Sequence, residues 1–103
     1  IAPRIRAGEI DAVFAVNDLV AIGLQQSLLG GASPVAIPRD VALVGYDDIS
    51  FASAAVVPIT SVRQPRDEIG RTAVRLLLEL IEDPSAARQV VFEPELVVRA
   101  SSS

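Results

Sequence analysis

Three short apolar runs, each closing on polar residues, divide the first two-thirds of the chain. Residues 12–16 (AVFAV) lie between Asp11 and Asn17 and predict a strand buried on both faces. Residues 18–29 (DLVAIGLQQSLL) are too long for a strand and read as a helix, with Asn17 or Asp18 capping its first turn and Gly30-Gly31 giving a left-handed exit. After a loop punctuated by Pro34 and Pro38, residues 41–46 (VALVGY) make a second strand. Residues 50–55 allow one short helical turn before Pro58, and residues 59–63 (ITSVR) make a third strand.

Pro65 opens the most regular helix, with Asp67 and Glu68 in the first turn, where the helix dipole favours carboxylates. Ile69, Ala73, Leu76, Leu77, Leu80 and Ile81 give it one apolar stripe, and Asp83-Pro84-Ser85 stops it. Glu68, Arg71, Arg75 and Glu79 read as a solvated face with pairing one turn apart. Two extended runs, QVVF and ELVVR, flank Pro94, and Ser101 to Ser103 read as a frayed tail. This alternation of strands and helices predicts an α/β fold, a mostly parallel sheet flanked by helices.

In such a sheet, ligands bind beyond the carboxyl ends of the strands. The first run ends at Asn17-Asp18, the second at Asp47-Asp48 and the third at Arg63-Gln64. Asn17, Asp47 and Gln64 would thus reach one rim with amide and carboxylate groups suited to a small polar ligand. Each also has a local explanation: Asn17 or Asp18 as a helix cap, Asp48 bonded to a nearby backbone N–H, Gln64 as the cap of the helix that Pro65 opens. Asp47 and Asp48 point to opposite faces of an extended segment, which argues against a proton-sharing catalytic pair.

The helix over 18–29 carries two apolar faces. Val20, Ala21, Leu24 and Leu28 form one, and Leu19, Ile22 and Leu29 the other. Two faces imply two neighbours, the sheet and either a further layer of the fold or a partner subunit. The small run SFASAAVV, containing Phe51, Ala54, Ala55 and Val56, suits the same contact.

Composition narrows the chemistry. The chain has no cysteine, histidine or lysine, which removes disulfides, the usual transition-metal ligands and the commonest general base. No enzyme activity, metal site or cofactor is expected. Paired aspartates at a strand end also mark magnesium-binding receiver domains, but those need a lysine. A net charge of -4 with scattered arginines argues against nucleic-acid binding by these residues. No apolar run approaches the length of a membrane span. The start on Ile1 reads as an interior or C-terminal piece of something longer.

Five ordered blocks, DAVFAVNDLVAIG, IPRDVALVGYDDISFA, PITSVRQP, EIGRTAVRLLLELI and VVFEPELVVRAS, resemble the C-terminal portion of the lactose/galactose-repressor family of bacterial transcription regulators. The resemblance covers nearly the whole chain. It implies a periplasmic-binding-protein-like effector domain of two α/β subdomains clamping a sugar or nucleoside-type effector. DNA would be bound only through an N-terminal helix-turn-helix domain outside this chain, and the regulator would be a cytoplasmic homodimer. By this resemblance Asn17 and Asp47 would be ligand contacts, Gln64 would face the same ligand, and Asp18 and Asp48 would be structural caps. The implied dimer contact uses Leu19, Ile22, Leu29, Phe51, Ala54, Ala55 and Val56. The implied division is 1–64 for part of one subdomain, 65–92 for a helix and strand of the other, and 93–103 for a returning crossover strand and tail. Arg66 stands where the family often has a bulkier apolar or aromatic group near ligand. A transport-associated sugar-binding protein of the same fold, without a DNA-binding domain, is the alternative.

Overall fold

The computed structural model describes all 103 residues. They form two compact units, one made of Ile1–Arg63 with Glu95–Ser103 and the other of Gln64–Pro94. In chain order the elements are α1 (Ala2–Arg6), β1 (Ala12–Phe14), α2 (Asp18–Leu29), β2 (Ala42–Tyr46), α3 (Ser50–Ala54), β3 (Thr60–Arg63), α4 (Arg66–Glu82) and β4 (Glu95–Val97).

All four strands lie in the first unit, in the order β1-β2-β3-β4. The first two pairings are parallel, with Phe14 opposite Val44 and Tyr46 opposite Val62. β4 returns antiparallel to β3, placing Glu95 opposite Arg63. The expected mixed α/β fold with a mostly parallel sheet is therefore present. Ala21 and Leu28 of α2 are buried with Val41, Leu43 and Ile59, so one sheet face and one helix face make the core. Gln25, also buried, interrupts that helix face. Its side-chain amide donates to Val57 O at 2.7 Å and its Oε1 accepts from Val57 N at 3.2 Å. Burying an amide is tolerated because both ends are bonded.

β2 is read best from its alternation: Leu43 and Gly45 are buried, while Ala42, Val44 and Tyr46 are half-buried. Gly45 is required there. A Cβ at this position would collide with the Asp18 carboxylate, which lies directly against the strand.

Several expectations are corrected. Residues 12–16 are not a strand buried on both faces: β1 spans three residues at the sheet edge, and Phe14 and Val16 are exposed while Ala15 is buried. An edge strand has one neighbour, and here one sheet face lacks a covering layer at this point. The terminal serines are not frayed. Ser101 is fully buried, its N–H donates to Pro58 O at 3.0 Å, its carbonyl accepts from Leu43 N at 2.8 Å and its Oγ accepts from Thr60 N at 2.8 Å. It supplies hydrogen bonds that β2 and β3 need at their amino ends. Residues 89–92 form no strand.

In the second unit α4 runs one residue later than expected. Pro65 is the N-cap, without a side-chain cap bond, so Gln64 does not cap this helix. The Asp83 carboxylate closes the far end by accepting from Ser85 N at 3.0 Å and Ser85 Oγ at 2.7 Å. Glu79 pairs with Arg88, nine residues on, at 3.0 Å, and not with an arginine one turn away. Val74, Leu77, Leu78 and Ile81 are exposed along the helix.

Gly45→Ala should cost at least the roughly 1–3 kcal/mol typical of overpacking, because the added methyl must displace a bonded carboxylate. Chemical denaturation measures this. A loss too small to detect would contradict the close approach of Asp18 to the strand.

Candidate functional site

The site forms at the carboxyl ends of β1 and β2. Phe14 faces Val44 in the register, so Asn17 and Asp47, each three residues further on, leave the two strands in step. Asn17 is half-buried and extended (φ -157°), and its Oδ1 accepts from Val20 N at 2.9 Å. It is thus the cap of α2, the first of the two possibilities open in the sequence. That bond uses one lone pair of Oδ1 and leaves the Nδ2 donor for a ligand.

Asp18 does something else. Fully buried, it sends its carboxylate away from its own helix to accept from Ile49 N at 2.9 Å and from Ser61 Oγ at 2.6 Å. It bridges α2 to the α3 entry and β3 and does not cap its own first turn, unlike the expected structural cap. The reason is distance in sequence: both partners lie 31 and 43 residues away, beyond any local cap pattern.

Asp47 and Asp48 follow β2 in consecutive left-handed conformations, with φ of 98° and 48°. Aspartate tolerates this region better than most residues, yet such backbone persists only where the surroundings fix it. Here they do: Asp47 N donates to Val62 O at 3.0 Å, Asp48 N to Ser61 Oγ at 3.0 Å and Ile49 N to Asp18. The Asp47 side chain is half-buried.

The Asp48 side chain is buried, and its partners are distant arginines, which corrects the expectation of a bond to a nearby backbone N–H. Arg63 Nε donates to Oδ2 at 2.7 Å. Oδ1 receives no aligned hydrogen bond, and Arg99 Nη1 faces its charge from 2.7 Å while donating to Ile59 O at 2.8 Å. Burial alone would raise the Asp48 pKa, but the Arg99 and Arg63 guanidinium groups outweigh it and hold the carboxyl below the ordinary carboxylate value. Arg99 is the more sheltered arginine, with 16% side-chain exposure against 47% for Arg63, so its pairing is the less screened by solvent.

Gln64 falls in the second unit, where its carbonyl accepts from Arg66 N at 2.8 Å. Phe14 lies outside the candidates drawn from the polar strand ends. The residue is 67% exposed and its ring tilts against Tyr46 at a centroid distance of 6.4 Å, presenting an aromatic surface beside the rim. The signal was available, since two of only four aromatic residues sit at the ends of these neighbouring strands.

A second feature lies between α2 and α3. Leu19, Ile22, Gln26, Phe51, Ala54, Ala55 and Val56 surround an apolar cleft of about 300 Å³, with buried Gln25 also lining it. Leu19, Phe51 and Val56 are exposed, at 67%, 68% and 83%. Leu29, assigned to the same face, does not line it and is half-buried. No cluster of acidic, histidine or cysteine side chains could hold a metal ion, and no helix is long and apolar enough to cross a membrane.

The chain belongs to the periplasmic binding protein-like domain family, whose model matches residues 2–102. Its relatives within that family are LacI-type transcriptional repressors and regulators, not enzymes. It is 38% identical over 92 residues to the ribose operon repressor of Escherichia coli strain K12, covering 88% of this chain and 27% of that protein. The transcriptional regulator CelR in complex with cellobiose superposes with a TM-score of 0.81 at 38% identity, over 98% of this chain and 32% of that one. A LacI family regulator from Lactobacillus casei with bound glucose gives 0.73 at 40% identity, over 89% and 32%. The chain thus spans about a third or less of the length of these relatives.

Asp48 gives a pH prediction with a definite sign. Its folded pKa is depressed, so its contribution to stability is present above the ordinary carboxylate value and is lost as pH falls through the lowered value. In thermal melts of the wild type and Asp48→Asn, the difference in Tm should be widest at neutral pH and close in acid below the usual carboxylate range. A difference that does not change with pH would contradict the ion-pair account.

Proposed function

We propose that this chain is the effector-sensing and dimer-forming part of a LacI-family transcriptional regulator, and that its effector is a sugar or nucleoside-type small molecule. The observation that carries this reading is the left-handed Asp47, held at the end of β2 in step with Asn17 at the end of β1. A carboxylate and an amide at neighbouring strand ends can accept from and donate to adjacent hydroxyls or ring nitrogens, and Phe14 offers an aromatic face against which a sugar ring or a base packs. Gln64 is proposed as a further ligand group, carried by the second unit. The two compact units correspond to the family's two subdomains, and effector binding shifts the population between operator-binding and non-binding states. Contact with DNA belongs to a helix-turn-helix domain outside these residues. The chain itself catalyses no reaction, in keeping with the absence of histidine, cysteine and lysine.

The cleft between α2 and α3 is the homodimer contact. Leu19, Ile22, Phe51, Ala54, Ala55 and Val56 form one apolar patch, and a twofold axis through it would let each copy fill the other's cleft.

Two measurements test this reading in the intact regulator. Calorimetry with ribose, glucose and cellobiose and with a set of nucleosides should find a ligand whose Kd rises roughly ten- to hundredfold in Asp47→Ala, the range for losing a hydrogen bond to a charged group. An unchanged Kd removes Asp47 from the site. In sedimentation equilibrium, Leu19→Asp and Phe51→Asp should each turn a dimer into a monomer, because a buried unpaired charge is placed on the patch. Dimers of unaltered stability would send the contact elsewhere.

A further inference from the structure

Asp48 stands next to the proposed ligand group Asp47, yet it is the more heavily constrained of the pair. Its side chain is 6% exposed and touches arginines from two segments: Arg63, the last residue of β3, and Arg99, two residues beyond β4. These segments have a particular place in the chain. The first unit ends at Arg63 and resumes at Glu95, the residues paired across the antiparallel β3–β4 ladder. Arg63 Nη1 also lies 3.7 Å from Glu95 Oε2. One buried carboxylate therefore ties the turn after β2 to the strand by which the chain leaves this unit and to the segment by which it returns.

We propose that Asp48 is a positioning residue: clamped by Arg63 and Arg99, it holds Asp47 in its left-handed conformation and so sets how the Asp47 carboxylate is presented to ligand.

The two left-handed residues are adjacent, so relaxation of Asp47 toward extended backbone swings Asp48 with it unless a compensating rotation follows. Turning Asp48 would draw its carboxylate off two cations and leave Arg99, itself largely buried, without its counter-charge. The backbone N–H of Asp48 is fixed at the same time by Ser61 Oγ, which is in turn bonded to Asp18. Side chain and main chain thus resist the same rotation from two directions. The clamp also runs the other way: a ligand that shifts Asp47 pulls, through Asp48, on both crossings of the chain. This second consequence rests on the effector reading above, whereas the conformational claim does not.

The experiment keeps the two apart. In the intact protein, NMR measures the Asp47 Cα and Cβ shifts and the exchange rates of the Asp47, Asp48 and Ile49 amides, with no ligand present. Arg63→Gln, at a half-exposed position, and Arg99→Met should each move the Asp47 shifts away from left-handed values and speed exchange of these amides by about tenfold or more. Arg99→Lys, which keeps the charge, should lie near the wild type. Glu95→Gln, at an exposed position with only a 3.7 Å contact, should leave both readouts unchanged. Unaltered Asp47 shifts and exchange in Arg63→Gln overturn the proposal, whether or not Arg99→Met folds. Affinity for ribose, glucose and cellobiose is then read on the same variants. Weakened binding in step with the displaced Asp47 supports the link to ligand. Displaced Asp47 shifts with unchanged affinity overturn that link and leave the clamp standing, and such a result counts against the effector reading of Asp47.

Discussion

A single buried carboxylate organises the site end of this sheet. Asp18 is the first residue of α2, where the helix dipole favours negative charge. It lies against Gly45 of β2 and accepts hydrogen bonds from Ile49, at the entry to α3, and from Ser61 of β3. A carboxylate withdrawn from water is costly unless bonded, so the three elements are held in one mutual arrangement. Asn17 takes over the capping of α2, which frees Asp18 for this longer reach. The glycine in the GYDD run is thus explained by packing, since no other residue leaves room for the carboxylate.

From Asp18 the constraint passes outward. Ser61 Oγ donates to Asp18 and accepts from Asp48 N, so the buried anion fixes the turn that follows β2. The outer carboxylate of that turn, Asp47, gains its unusual backbone from support beneath and beside it. The adjacent pair of aspartates is a division of labour. One is buried among arginines and serves the architecture, and the other, half-buried, is the proposed ligand group.

What depends on short-range pattern is legible in the sequence. Parallel strands, the two longer helices and the polar strand ends follow from apolar periodicity and from Gly, Pro and Asn at the boundaries. What depends on partners far along the chain is not legible there. Nothing local to Ser101 reveals that it joins β2 to β3, because its side-chain partners lie 41 and 58 residues upstream. Gln25 looks like an ordinary polar helix position until Val57 is brought beside it. The short α1 lacks a long enough apolar pattern, and the edge position of β1 depends on strand order, which local composition does not encode. Asp48 was assigned a local bond because aspartates near turns usually make one. Here two guanidinium groups from other segments offer more than a backbone N–H can.

The Asn17 amide and the Asp47 carboxylate are proposed as a preorganised rim for a small polar ligand. A crystal structure of the intact regulator with whichever of ribose, glucose or cellobiose it binds tests this most directly. The account predicts ligand hydroxyls within hydrogen-bond distance of Asp47 and Asn17, with Asp47 left-handed both with and without ligand. A ligand bound away from both residues, or an Asp47 that becomes left-handed only on binding, would contradict it.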